Sequence, residues 1–199
     1  MKLYYSPGAC SFAPHIAAVE AGIPVTLVKV DLRSHKVSDA SDFYTVNLKG
    51  YVPVLELDDG TKLTEAAVVL QYLADRNPGK LAPAFGSMER YRLMEWLNFV
   101  ATELHKGMGA LWNPSMESVR GPIMEKIGKR LDFLAAALTN RQFLHGDSFT
   151  IADAYLFTIL SWAKPLKVDL SRWPAITSYI ERIGARPAVQ QAKRAESGG

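Results

Sequence analysis

The sequence contains little that would place the protein outside the cell or in a membrane. It has one cysteine, Cys10, so an internal disulfide is excluded, and this usage suits a reducing compartment. No apolar run approaches the roughly 18 residues that a membrane-spanning helix needs, and the N-terminus lacks the apolar centre of a signal peptide. We therefore predict a cytoplasmic protein with no membrane partner.

The sequence also lacks a dense cluster of positive charge. Its net charge is +3, and its lysines and arginines are scattered along amphipathic segments without the interleaved aromatic residues of a nucleic-acid interface. Hydrophobic residues make up 48% of the chain and charged residues 22%, as in an ordinary globular protein. The composition therefore favours small anionic ligands, and we predict no nucleic-acid partner.

Residues 1–78 alternate short strand and helix patterns. Strand patterns lie at 2–5, 26–30, 54–57 and 62–64, the last two flanking the hairpin signal Asp58-Asp59-Gly60. A helix is predicted to begin at Ser11 as N-cap, and another runs from Ala66 to Asn77-Pro78. The polar stretch 31–50 is irregular, with one short helix near 41–45. The order predicts an α/β domain over 1–78.

Beyond a Pro- and Gly-rich segment at 79–86, every periodic pattern is helical. Apolar residues from Leu93 to Leu111 fit one face of a long helix, and Thr150 with Asp153 resembles a capping box. Further helices are predicted at about 122–138, 150–164, 174–184 and 187–195. We predict a linker over 79–86 and an all-helical domain over 87–199.

Cys10 lies in the turn Gly8-Ala9-Cys10-Ser11, between the first strand and the first helix. A lone cysteine is more often a buried packing residue than a reactive thiol. A thiol just before a helix, however, is close to the positive end of the helix dipole and to free N–H groups, which lower a thiol pKa. The order strand, loop, Cys, helix is that of thioredoxin-like domains, and Ala13 in place of a second cysteine excludes dithiol chemistry. We predict an exposed, reactive thiol that acts alone.

Two further segments could bind a peptide-like ligand. Pro53 at the start of a strand has an ordinary explanation, because its missing N–H costs little there. A cis Val52–Pro53 bond would instead turn the backbone of Val52 outward, although only about 5–6% of X–Pro bonds in folded proteins are cis. Glu65 opens a helix, so it either complements its own helix dipole or accepts a ligand's ammonium group. The residues alone leave these alternatives open.

On the long helix, Asn98, Thr102 and His105 fall on one polar stripe beside the apolar face, at about 100° per residue. Glu103 points well away from that stripe, roughly 140° from Asn98. The stripe is either the solvent-exposed edge of an amphipathic helix or a place where His105 and Lys106 bring an imidazole and a cation close to a thiolate.

Six stretches carry a family resemblance through their order and spacing. They are MKLYYSPGACS (1–11), GYVP (50–53), LTEA (63–66), WLNF (96–99), ELHK (103–106) and LHGDSFTIAD (144–153). Together they resemble the beta class of bacterial glutathione transferases over essentially the whole chain. The resemblance implies a thioredoxin-like α/β N-terminal domain, an all-α C-terminal domain and a homodimer.

The resemblance also implies that glutathione is the co-substrate and that no metal is needed. Cys10 would be catalytic at the glutathione sulfur, and Val52, before a cis Pro53, would pair with the glutathione backbone. Glu65 and the helix start at Ala66 would hold the γ-glutamyl end.

The long helix would complete both parts of the site. Asn98, Thr102, Leu104 and His105 would contact glutathione, Leu104 only through its backbone or packing, and Glu103 would reach in from the partner subunit. His105 would also be catalytic, bordering a pocket for a hydrophobic electrophile lined by Lys106, Met108 and Trp112.

The chain departs from the family pattern at two positions. His35 stands where the family usually has lysine, and Ala66 where it has a hydroxyl residue. Both changes weaken the expected grip on glutathione, since His35 lacks a fixed charge for the glycyl carboxylate unless Lys36 substitutes.

Three functions remain open at this point. The first is conjugation of glutathione to an electrophile. The second is thiol–disulfide exchange, peroxide reduction or reductive dehalogenation through a Cys10–glutathione mixed disulfide. The third is a non-catalytic ligand carrier, which would have no use for Cys10, Glu65 and His105 together.

Overall fold

A computed structural model describes residues 1–198; Gly199, the last residue of the predicted helical domain, lies outside it. Within that range five strands form one sheet in the order β3-β2-β1-β4-β5: β1 (Lys2–Tyr5), β2 (Thr26–Asp31), β3 (Lys36–Val37), β4 (Val54–Glu56) and β5 (Lys62–Thr64). Strand β1 is parallel to β2 and antiparallel to β4, with Leu3 opposite both Leu27 and Leu55. Strand β3 falls in the stretch predicted to be irregular, because two residues are too few to show a period.

The helices are α1 (Phe12–Ala21), α2 (Ala66–Asp75), α3 (Met88–Phe99), α4 (Lys106–Ala110), α5 (Arg120–Leu138), α6 (Ile151–Leu160), α7 (Pro174–Gly184) and α8 (Pro187–Ser197). Helix α1 packs against α2, α6 and α8, so the sheet and the helical part share one core. A short 3-10 turn, Phe43–Thr45, occupies the place of the predicted short helix. The fold class is confirmed: a thioredoxin-like α/β part followed by an all-α part.

The predicted long helix is not α-helical throughout. Between α3 and α4, residues Val100–His105 form a π-helical segment, a local widening that is frequent at functional sites. The helix predicted over 150–164 ends at Leu160 and continues as the 3-10 turn Ser161–Ala163. Apolar periodicity could not reveal either change, because segments of six and three residues are too short to establish a period of their own.

Of the two residues predicted to cap helices, Ser11 and Thr150, only Thr150 does so. Ser11 does precede α1, but its side chain makes no capping bond; its Oγ instead accepts from the Ser6 N–H at 3.2 Å and donates to the Ser6 carbonyl at 3.3 Å. At α6 the Thr150–Asp153 capping box is confirmed, with the Thr150 N–H donating to the buried Asp153 carboxylate at 2.9 Å. The Ser11 bonds tie the loop after β1 to the start of α1.

The segment 79–86 packs onto the helical part. Leu81 and Ala82 are buried, and the Leu81 carbonyl accepts the Ile151 N–H at 3.0 Å. The division into 1–78, a linker and 87–199 stays a prediction. Among residues 1–198, no helix combines the length and apolarity needed to cross a bilayer.

Candidate active site

The loop between β1 and α1 is held from the helical part. Gly8 adopts a φ of 72°, a left-handed conformation that glycine reaches without steric cost. Its carbonyl accepts the indole N–H of Trp162 at 2.8 Å, across 154 residues of sequence. Together with the Ser6–Ser11 bonds, this contact fixes the position of Cys10.

This loop forms one wall of a cavity of about 420 Å³ between the sheet and the helical part. The other walls are Leu32, Tyr51, Val52, His105, Gly109, Trp112 and Trp162. Four of the residues predicted for the site therefore come together here: Cys10, Val52, His105 and Trp112. Apolar and aromatic walls with few polar groups are typical of small-molecule sites.

The Cys10 thiol donates a hydrogen bond to the Val52 carbonyl, with Sγ and O 3.2 Å apart. The Val52–Pro53 bond is cis, as the family resemblance implied. Burial raises the pKa of Cys10 to about 12 and outweighs the lowering by its own and Ser11's N–H groups and by the charge of Lys106. The predicted lowering of this pKa is wrong, because desolvation exceeds the helix-start effect, and the side chain is half-buried. Near pH 7 Cys10 is a neutral S–H donor.

His105 carries its proton on a defined nitrogen. Burial lowers the pKa of His105 to about 4, so the ring is neutral near pH 7. Its Nδ1 lies 2.7 Å from the Tyr155 hydroxyl, whose own pKa burial raises well above the usual range. The phenol keeps its proton, and Nδ1 is the acceptor that the described residues offer it, so we assign the donation from Tyr155 to Nδ1 and the imidazole proton to Nε2. His105 is therefore an N–H donor at Nε2.

Glu65 is the N-cap of α2, with a φ of 68° that is unusual for a residue with a side chain. Its carboxylate does not cap its own helix. It accepts the Tyr51 hydroxyl at 3.0 Å and pairs with Lys49, whose hydrogen bond lowers the pKa of Glu65. The charge of Glu65 acts on Cys10 and His105 as well, so the carboxylate belongs to the same electrostatic environment.

Several predicted site residues do not line the cavity. Met108 is 1% exposed and packs in the core, so its prediction as a pocket residue is wrong; its place on the apolar face of the helix already indicated burial. Leu104 is fully buried, in agreement with a packing role. Pro53 and Ala66 are buried beside Val52 and Glu65, respectively. Lys106 is exposed, but its charge lowers the pKa values of Cys10, His105 and Glu65.

The remaining predicted residues do not line the cavity at Cys10 either. Asn98 and Thr102 are exposed, and the Thr102 hydroxyl donates to the Asn98 carbonyl at 2.9 Å. Glu103 forms an ion pair with Arg130 of the same chain. His35 has a φ of 52°, its ring lies 4.7 Å from that of Tyr44, and its buried Nδ1 has no hydrogen-bond partner among the described residues.

Sequence reasoning missed residues that act through long-range contacts. Tyr155 lies 50 residues from His105, and Lys49 lies 16 residues from Glu65, so no local period connects them. Trp162 is a third such residue, because its partner Gly8 lies 154 residues away. In the part of the chain that the structure describes, no three His, Cys, Asp or Glu side chains are grouped as metal ligands.

Comparisons with known proteins agree with this architecture. A family model for the glutathione S-transferase N-terminal domain matches residues 8–76, and one for the C-terminal domain matches residues 99–187. The chain is 46% identical over 199 residues to glutathione S-transferase GstA of Escherichia coli O157:H7, with 98% of each sequence covered.

Solved structures of similar proteins have the same fold. A sphingomonad glutathione S-transferase complexed with glutathione superposes with a TM-score of 0.95 at 42% identity, and all of both chains is covered. A bacterial beta-class glutathione S-transferase from Sphingomonas chungbukensis gives 0.94 at 42% identity, covering 98% of each chain.

Proposed function

The chain belongs to the glutathione S-transferase family, within its bacterial beta class, and we propose that it conjugates reduced glutathione to small hydrophobic electrophiles such as haloaromatic compounds. One observation carries this proposal. Two neutral donors, the Cys10 thiol and the His105 imidazole, line a single cavity whose other walls include Trp112 and Trp162. The donors suit a developing anion and the indole rings suit an apolar co-substrate.

Conjugation needs the glutathione thiolate, and the two donors favour it. With the glutathione sulfur in the cavity, the S–H of Cys10, turned from the Val52 carbonyl to the ligand, and the Nε2–H of His105 would stabilise the anion by hydrogen bonding and lower its pKa. The thiol proton passes to solvent. The thiolate then attacks the electrophilic carbon, a C–S bond forms, and the halide leaves with the electron pair of the broken bond.

The rest of glutathione would be bound along the edge of the sheet. The backbone of Val52 would pair with the tripeptide, and Glu65 would accept the γ-glutamyl ammonium group while the start of α2 holds its carboxylate. His35 would face the glycyl carboxylate, with Asn98 and Thr102 on the opposite rim.

Thiol exchange through Cys10 is the weaker alternative. A mixed disulfide forms by attack of a thiolate, and burial raises the pKa of Cys10 to about 12, so the thiol is protonated near pH 7. The same objection applies to peroxide reduction and to dehalogenation by a Cys10–glutathione intermediate. A pure ligand carrier would not require the two donors and Glu65 together.

The direct test is an assay of conjugation. With reduced glutathione and 1-chloro-2,4-dinitrobenzene, we expect absorbance of the thioether product to rise at least 100-fold faster than without protein. Rates of glutathione-dependent disulfide reduction should be far lower in the same preparation. Disulfide reduction without measurable conjugation would contradict the proposal.

His105 should act through the proton that Tyr155 positions. We expect Tyr155→Phe to raise the pKa of bound glutathione by about one unit, the value of one hydrogen bond, because the imidazole can then present an unprotonated Nε2. Thiolate absorbance near 240 nm against pH measures this. Tyr4→Phe is a matched control, since Tyr4 is also buried and bonds Glu56 outside the cavity. Equal shifts in both variants would contradict the assignment.

We also propose a cytoplasmic homodimer. Val68 on α2 and Met88 and Tyr91 on α3 are exposed, which leaves apolar surface on these two helices for a partner subunit to cover. Light scattering should give about twice 22.0 kDa. A monomer at micromolar concentration would remove Glu103 from a partner's site and leave it with Arg130 alone.

A further inference from the structure

The loop before β4 is shaped by one buried side chain, that of Asn47. Its Oδ1 accepts the Lys49 N–H at 3.2 Å, and its Nδ2 donates to the Tyr51 carbonyl at 2.8 Å. Gly50, between them, has a φ of 71°, and a Cβ there would come within 2.7 Å of the Tyr44 ring, so glycine suits this turn. The loop therefore presents Lys49 and Tyr51 from a backbone that is held in place.

The side chains of Lys49 and Tyr51 converge on one oxygen of Glu65, Oε1. The Tyr51 hydroxyl donates to Oε1 at 3.0 Å, and the Lys49 ammonium pairs with the same atom. Lys49 also donates to the Thr64 hydroxyl at 3.0 Å. Within residues 1–198, no hydrogen bond reaches the other oxygen, Oε2. A carboxylate accepts through both of its oxygens, so Oε2 is the acceptor that remains for a ligand's ammonium group.

Lys49 also brings a positive charge to the place where that ammonium group would bind. It lies within hydrogen-bond distance of Glu65, and the two side chains are 43% and 53% exposed. A ligand end that carries only an ammonium group is attracted by Glu65 and repelled by Lys49. An end that carries a carboxylate as well has an opposite charge for each of its own. Lys106, whose charge also acts on Glu65, adds to the preference for a carboxylate.

We propose that Lys49 is a specificity-determining residue for the co-substrate, which selects peptides whose γ-glutamyl end carries a carboxylate together with its ammonium group. The inference rests on the proposed function, because it concerns the same glutathione site. Lys49 acts in two ways: its bond to Oε1 leaves Oε2 for the ammonium group, and its charge attracts the carboxylate. The start of α2 offers that carboxylate backbone N–H groups, and Lys49 supplies the full positive charge that the side chain of Ala66 lacks.

Two truncated peptides separate the two charges. Glutaryl-cysteinylglycine keeps the carboxylate and lacks the ammonium group, whereas 4-aminobutyryl-cysteinylglycine keeps the ammonium group and lacks the carboxylate. By displacement calorimetry against glutathione, we expect Lys49→Met to bind the glutaryl peptide about fivefold more weakly than wild type does, the upper end for one exposed ion pair. The aminobutyryl peptide should bind the variant at least as tightly as it binds wild type. At about 1 M salt the difference should shrink, because exposed charges are screened.

Two control variants isolate the charge at this position. Lys49→Arg keeps the charge and should bind both peptides within twofold of wild type. Lys2→Met removes a lysine from a similar arrangement, because Lys2 and Tyr4 both bond Glu56 at 2.9 Å, and none of the three lines the cavity, so neither affinity should change. Melting temperatures verify that the variants are folded. Equal losses for the two peptides in Lys49→Met would overturn this proposal alone, whereas a wild type that does not bind glutathione would overturn the proposed function as well.

Discussion

Replacing Cys10 by alanine should slow conjugation about 10- to 100-fold without abolishing it, because the loss of one hydrogen bond to an anion costs about 1.5–3 kcal/mol. The neutral thiol acts as a donor, and His105 remains as the second donor in the variant. Cys10→Ser retains an O–H donor at the same place and should keep most of the wild-type rate. Values of kcat/KM with 1-chloro-2,4-dinitrobenzene for the two variants measure the difference.

The protonation state of Cys10 can be tested apart from catalysis. The rate of Cys10 alkylation by iodoacetamide should rise with pH beyond pH 9 without a plateau, since burial holds the pKa of Cys10 at about 12. A plateau at neutral pH would show a thiolate. Equal loss of conjugation in Cys10→Ala and Cys10→Ser, with glutathione still bound, would show that sulfur itself takes part in the reaction.

Glu65→Gln should weaken the binding of reduced glutathione about 10- to 100-fold, because an amide cannot form the charge-assisted bond to the γ-glutamyl ammonium group. Calorimetry measures the dissociation constant. Glu56→Gln is a close control: Glu56 also binds one lysine and one tyrosine hydroxyl, Lys2 and Tyr4, each at 2.9 Å, but does not line the cavity.

A truncated ligand separates this role from a general disturbance of α2. A glutathione analogue without the γ-glutamyl ammonium should bind wild type and Glu65→Gln with the same affinity, because the partner of Glu65 is missing. If Glu65→Gln bound this analogue more weakly than wild type does, the loss of affinity would come from displacement of Lys49 and Tyr51, which contact Glu65, and not from a lost contact with the ammonium group.

The sequence by itself determined what depends on neighbours along the chain. The order of strands and helices follows from hydrophobic periods of two and 3.6 residues, which can be recognised within a single strand or helix. The hairpin at Asp58-Asp59-Gly60 and the capping box at Thr150 are likewise local, and both are present. The family resemblance added the cis bond before Pro53, which no local pattern could establish.

Only the tertiary structure decided the chemistry of the site, because desolvation and hydrogen bonding depend on groups that are distant in sequence. Cys10 shows this most clearly: the helix start is local and lowers its pKa, while the burial that raises it comes from packing between the two parts of the chain. The proton position on His105 is set by Tyr155, and the orientation of Glu65 by Lys49 and Tyr51. His15 had no evident role in the sequence, because its partner Glu196 lies 181 residues away and meets it only when α8 packs on α1.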